Sequence, residues 1–148
     1  MTTKSDFTPE EWKLVQEGPV TAGMLVIASE SGGTFRETFA LARAFNDARR
    51  NHGESELLDE LVASKPQFDR HRYDSPQELH DEGLKAIGEA SALVRSKADA
   101  AEAAAYDAFV VTAASAVANA HKEHGQAVSE KEQAALDEVR ARLAPSAS

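Results

Sequence analysis

The sequence predicts an all-α fold, a single-domain bundle of about seven helices. Alanine is abundant, aromatic residues make up only 6% of the 148 residues, and β-branched runs are scarce. That composition favours helix over strand. Apolar residues recur at helical spacing through most of the chain. Four hydroxyl residues are each followed three positions later by glutamate: Thr8/Glu11, Thr34/Glu37, Ser75/Glu78 and Ser129/Glu132. In that pattern the hydroxyl and the carboxylate each satisfy a backbone amide that a helix start leaves open.

The elements follow in order. Thr8 caps and Pro9 opens a short helix over about 9–17, with Phe7 and Trp12 placed to staple its entry. Gly18-Pro19 is expected to stop it. Pro19 then opens a second helix, apolar nearly all round and therefore central, which ends at Ser31-Gly32-Gly33; Gly23 lets a neighbour come close. Thr34 starts a third, with Phe35, Phe39, Ala42 and Phe45 on its inner face beside Leu41, closed by Gly53. A fourth, about 54–64, carries Leu57, Leu58, Leu61 and Val62 and breaks at Lys65-Pro66. Residues 66–75 read as a loop.

Ser75 caps a fifth helix to about 97, with Leu79, Ala86, Ile87, Ala90, Leu93 and Val94 inward and Gly83 and Gly88 as mild weaknesses. Asp99 caps a sixth to about 122, whose inner face is Tyr106, Phe109, Val110, Ala113, Val117 and Ala120. Ser129 caps the seventh, about 130–143. Residues 1–6 and 144–148 read as flexible tails, and no linker divides the chain.

Charge and composition narrow the function. The chain carries a net charge of −9, spread over both halves. Nucleic acid and anionic lipid need a basic footprint, so neither is an expected partner. The small basic clusters at Arg49-Arg50 and Arg70–Arg72 read as solvated surface. The absence of cysteine excludes disulfides, thiolate metal sites and a thiol nucleophile. The first residues lack the charged, then apolar, then small-residue pattern expected of a signal peptide, and the longest apolar run, residues 20–28, is about half a membrane span. A soluble, cytoplasmic protein without a transmembrane segment is expected.

Several catalytic and metal motifs are missing. No histidine lies three residues after a glutamate, as di-iron bundles require. His-Glu-x-x-His and the calcium-binding EF-hand loop are absent. Ser29–Gly33 is neither a P-loop nor a nucleophile elbow, because it follows a helix and lacks the Gly-Lys-Ser/Thr ending. The adjacent pairs Asp59-Glu60 and Asp81-Glu82 point about 100° apart on a helix and read as solvated. Asp107 lies on an otherwise apolar helix, either at its rim or facing the 66–75 loop, where Arg70 and Arg72 are its candidate partners.

Residues 23–45 and 117–139 share one pattern: apolar helix, polar glycine turn, hydroxyl cap, glutamate at the third helical position, then an amphipathic helix. Thr34 matches Ser129 and Glu37 matches Glu132. Two pseudo-symmetric helical hairpins account for this, as does the general need of any helical hairpin for a turn and a cap. "ANAHKEHGQAVSEKEQAALDEV" and the looser "IASESGGTFRETFALA" resemble the TerB-like family of tellurite-resistance proteins, small all-helical domains with two such hairpins. The resemblance covers about 45 residues. It implies a stress-associated, non-enzymatic module, and the function expected first is a regulatory or stress-associated binding domain acting through a protein partner or homo-oligomer.

It also implies a divalent cation as candidate ligand, held by acidic residues of the turns. The family places aspartate before the turn glycine, where this chain has Ser31 and His124. The candidate metal set is therefore Glu30, Glu37, Glu123, His124 and Glu132. His121 and His124, three residues apart, share one face if the helix reaches them; a helix C-terminus is equally an ordinary place for histidine. A small-ligand enzyme with a pocket between the second and sixth helices ranks last, because no nucleophile, base and orienting group are spaced together.

Overall fold

The computed structural model describes residues 4–29, 35–50, 56–63, 75–123 and 130–143. Among these the chain is all helical. A 3₁₀ turn at Lys4–Asp6 precedes α1 (Pro9–Ser29), α2 (Phe35–Arg50), α3 (Glu56–Ala63), α4 (Pro76–Lys97), α5 (Ala100–Glu123) and α6 (Glu130–Leu143). The caps Thr34 and Ser129, the turn glycines 32, 33, 53 and 125, the 64–74 segment with Arg70 and Arg72, and the 144–148 tail lie outside the described residues.

The described chain has six α-helices where seven were expected, because the first two are one. Gly18-Pro19 lies inside α1 and does not end it. An internal proline removes the amide that would bond the carbonyl four residues back, here Val15. Tyr106 of α5 replaces that donor: its hydroxyl donates to the Val15 carbonyl oxygen at 2.8 Å in the buried interior. Gly18 makes the approach possible, since a Cβ there would sit 2.2 Å from the Tyr106 hydroxyl oxygen. The glycine and proline read as a helix stop thus form the socket for a tyrosine 91 residues from the carbonyl it bonds.

The start of α1 forms as its sequence dictates. The Thr8 amide donates to Glu11 Oε1 at 2.8 Å, and the Glu11 amide donates to Thr8 Oγ1 at 3.1 Å. Phe7 and Trp12 are buried with ring centroids 5.7 Å apart, closing the staple. Lys97, at the end of α4, donates to the Asp6 carbonyl at 2.8 Å, pairs with Glu11 at 3.2 Å and lies 5.5 Å over the Phe7 ring. The end of the segment read as an N-terminal tail is therefore tied to α4.

The same contact sets the topology. Lys97 meets the start of α1, and Gly83 packs on Thr21 and Leu25 further along, so α1 and α4 run antiparallel. After Ala98-Asp99 the chain enters α5 at the end where α1 begins. α1 packs most extensively on α4 and α5, and α2, α3 and α6 close around them.

The core follows the predicted stripes. Leu79, Ile87, Ala90 and Val94 of α4 are buried, as are Tyr106, Phe109, Val110, Ala113 and Val117 of α5 and Leu57, Leu61 and Val62 of α3. Gly23 is buried in α1. Phe45 joins α2 to α5 by an edge-on contact with Phe109, centroids 5.1 Å apart. α6 contributes Leu136, Val139 and Leu143. The close approach of α1 and α4 falls at Gly83, where a Cβ would meet Thr21 Cγ2 at 3.0 Å.

Candidate functional site

The five predicted metal-site residues are placed only in part. Glu30 and His124 lie outside the described residues. Glu37 is the third residue of α2, Glu123 the last of α5 and Glu132 the third of α6; the described side chains do not include theirs. Each of the three therefore sits near a helix end, Glu37 and Glu132 at the third helical position that the capping pattern expects. Among the described residues, no group of three or more His, Asp or Glu side chains is arranged to hold a metal ion.

Two polar clusters stand out among the described side chains, and each joins helices. The first lies where α4, α5 and α6 meet. The Ser91 hydroxyl, fully buried, donates to Asp107 Oδ1 at 2.7 Å. Arg95, one turn on, donates to Ser91 Oγ at 2.8 Å and pairs with Asp107 Oδ2 at 3.4 Å. The same guanidinium donates to the Leu143 carbonyl oxygen, which ends α6. Asp107 is half-buried, and its described partners come from α4. The 66–75 loop expected to face it lies outside the described residues. A carboxylate on an apolar helix needs such partners, because unpaired burial is costly.

The second cluster links α4 to α6. His80 lies between two carboxylates, with Nδ1 3.0 Å from Asp81 Oδ1 and Nε2 2.5 Å from Glu138 Oε2. Asp81 also accepts from the Gln77 amide, one turn back, at 3.3 Å. The Asp81 and Glu138 hydrogen bonds raise the His80 pKa above the ordinary histidine value. Asp81 is lowered in turn, first by His80 and then by Gln77. Sequence reading examined His80 only as a metal ligand and missed this pairing, since Glu138 is 58 residues away.

Two further groups are perturbed. Burial, then the Asp107 charge, raises the Tyr106 phenol well above its ordinary value, so the hydroxyl remains a donor to Val15. Glu11 is lowered, first by the Thr8 amide and then by Lys97.

One property of α5 escaped a search for unbroken apolar runs. By length and composition Ala100–Asn119 is sufficient to cross a membrane. Glu102 and Asp107 interrupt it, and in this fold α1, α2 and α6 pack against it. The chain matches no known family model, and neither a curated protein nor a solved structure is significantly similar to it.

Proposed function

We propose that the chain is a TerB-like helical binding module: non-enzymatic, cytoplasmic, stress-associated or regulatory, and acting through a protein partner or a second copy of itself. The observation that carries the reading is a reciprocity in the packing. α1 lies against α6, α2 lies against α5, and α1 and α5 pack on each other. A two-fold relation between hairpins α1–α2 and α5–α6, the units that share the repeated sequence pattern, makes the α1–α6 and α2–α5 contacts equivalent, and both occur. In this reading α5 is the core of the bundle and not a membrane span. The polar clusters at Arg95 and His80 support it too, because they are spent on joining helices.

Sedimentation equilibrium over a wide concentration range tests the association. A mass that rises with concentration supports a self-associating module. A constant monomer mass overturns self-association and directs the search to a different partner protein.

The alternative is a divalent-metal protein using Glu30, Glu37, Glu123, His124 and Glu132, favoured by their positions at or beside the ends of the repeated hairpins. Metal-stripped protein is melted with calcium, magnesium, zinc, manganese and nickel, beside Glu37→Ala/Glu132→Ala. Each is compared with its own metal-free midpoint, since two lost caps cost about 1 kcal/mol each. A rise with one cation that the double variant abolishes supports this alternative; no rise with any cation refutes it. An enzyme with an interhelical pocket ranks third.

A further inference from the structure

We propose that His80 is a proton-operated clasp that fastens the middle of α6, at Glu138, to α4, tight in mild acid and loose once the imidazole loses its proton. The inference is independent of the TerB-like reading, because it rests on described side chains of two helices that contact each other directly.

The geometry is a bridge. Imidazole has two ring nitrogens, and only the protonated ring donates from both. Here each nitrogen faces a carboxylate, Asp81 on its own helix and Glu138 on α6, at 3.0 and 2.5 Å. The protonated ring satisfies both at once through charge-assisted bonds. The neutral ring has one donor for two acceptors, so one carboxylate faces a lone pair. Deprotonation therefore replaces a two-sided ion bridge with a single hydrogen bond.

Among the described residues no ion pair joins Glu138 to a cation other than His80; Arg142, one turn on in α6, is exposed. On α6, the neighbouring Asp137 is engaged by Gln133 at 3.0 Å and Arg140 at 3.7 Å. α1, packed on both α4 and α6, has no titratable residue between Glu17 and Glu30. α5 has none between Asp107, which is bound to Ser91 and Arg95, and His121-Lys122-Glu123 in its last turn. On the rest of α4, Gln77 is bound to Asp81, Glu82 and Lys85 are exposed, and Glu78 lies two residues before His80.

The far end of α6 is held differently. Arg95 donates to the Leu143 carbonyl, and guanidinium stays charged throughout the accessible pH range. α6 thus has one permanent and one protonatable tie to the same helix. Loosening the second weakens the hold on the segment from Glu130 to Glu138, which Leu136 still packs on the core, while Leu143 stays anchored.

The sign follows from the shift. A histidine whose pKa is higher folded than unfolded stabilises fully below its ordinary value of about 6.5, and that contribution is lost as pH climbs through the raised folded value. The clasp therefore opens above the ordinary histidine value, as pH climbs through the raised one.

The test is hydrogen exchange by mass spectrometry on the full chain at several pH values between about 5.5 and 8.5, corrected for intrinsic exchange. Parent, His80→Gln and Glu138→Gln are compared. The His80 Cε1 proton is titrated by NMR in the parent and Glu138→Gln. Both residues are roughly half exposed, so neither change removes core. In the parent, α6 amides should exchange roughly two- to fivefold faster at high than at low pH relative to α5 amides, the range that suits a half-exposed ion bridge. Both variants should flatten that difference at the faster level. The His80 titration should fall toward the ordinary value in Glu138→Gln. An α6 profile unchanged in His80→Gln, or a His80 titration unmoved by Glu138→Gln, overturns the proposal.

Discussion

Tyr106→Phe isolates the interaction that lets a proline sit inside α1. The change deletes one oxygen and leaves the ring in place. In the parent the Val15 carbonyl has no amide at position 19 to bond, and it accepts from the Tyr106 hydroxyl within the core. Val15 and Tyr106 are both 0% exposed, so water does not replace the lost donor. A buried acceptor left without a partner costs about 1–3 kcal/mol. At the middle of that range, about 2 kcal/mol, the midpoint of a chain this size should fall by roughly 4–8 °C. The measurement is thermal and urea unfolding of four proteins: parent, Tyr106→Phe, Pro19→Ala and the double variant.

Pro19→Ala returns an amide to position 19, and Val15 regains an intrahelical donor. Removing the hydroxyl from that background should cost less than half as much, giving a coupling of about 1 kcal/mol. Gly18→Ala supplies an independent check. Its Cβ would meet the hydroxyl oxygen at 2.2 Å but the next ring atom, Cζ, only at 3.3 Å. Gly18→Ala alone should cost about 1–3 kcal/mol by overpacking, and Tyr106→Phe should recover part of that loss. The reasoning fails if Tyr106→Phe costs under about 0.5 kcal/mol in the parent, or if it costs the same with and without the proline.

Four other outcomes are expected. Gly88→Ala should stabilise by about 0.5–1 kcal/mol, because its Cβ meets nothing within 4 Å and alanine is the better helix former; Gly83→Ala should gain less or lose, since Thr21 must give way, and chemical denaturation ranks the two. Asp99→Ala and Ser75→Ala should each lose about 1 kcal/mol, because Asp99 accepts from the Glu102 amide at 2.8 Å and Ser75 from the Glu78 amide at 3.0 Å. Ser91→Ala should lose about 1–1.5 kcal/mol, and much less in an Asp107→Ala background, since its buried hydroxyl bonds that carboxylate. In alkali, Tyr106 should show no tyrosinate absorbance at one unit above the ordinary phenol value of about 10 while the chain is folded; because its pKa is raised, stability should decline above that value as the unfolded phenol ionises.

Much of this fold is legible because its signals are local. α4 starts at Pro76 behind the Ser75 cap and ends at Lys97, and α6 runs from Glu130 to Leu143, as the caps and apolar spacing indicate. Thr8-Glu11 and Asp99-Glu102 are bonds between residues three apart, so any reading of neighbours finds them. What fails is what depends on distant chain. Gly18-Pro19 carries every local mark of a helix stop, and the donor that the proline removes is supplied by Tyr106, 91 residues away from Val15. Gly83 and Gly88 look alike in sequence, yet one faces α1 and the other open space. His80 fits no metal motif in sequence, and its partner Glu138, 58 residues away, is seen only in the fold. The five metal candidates come from a turn motif, whereas the polar clusters on the helices join residues far apart in the chain and are a different set.

The polar groups of the core also answer a question its composition raises. α5 is rich in alanine, and small side chains restrict the rotation of a helix about its axis weakly, because alternative faces pack almost equally well. Tyr106 and Asp107 are consecutive, so their side chains leave the helix about 100° apart. One bonds the Val15 carbonyl of α1; the other is held by Ser91 and Arg95 of α4. A rotation of α5 that improves one contact must strain or break the other. Two adjacent residues thus set the angular position of the central helix against α1 and α4. Arg95 carries the constraint on to the last carbonyl of α6. The apolar residues supply the driving force for burial, and this chain of hydrogen bonds selects one arrangement of the helices that bury them.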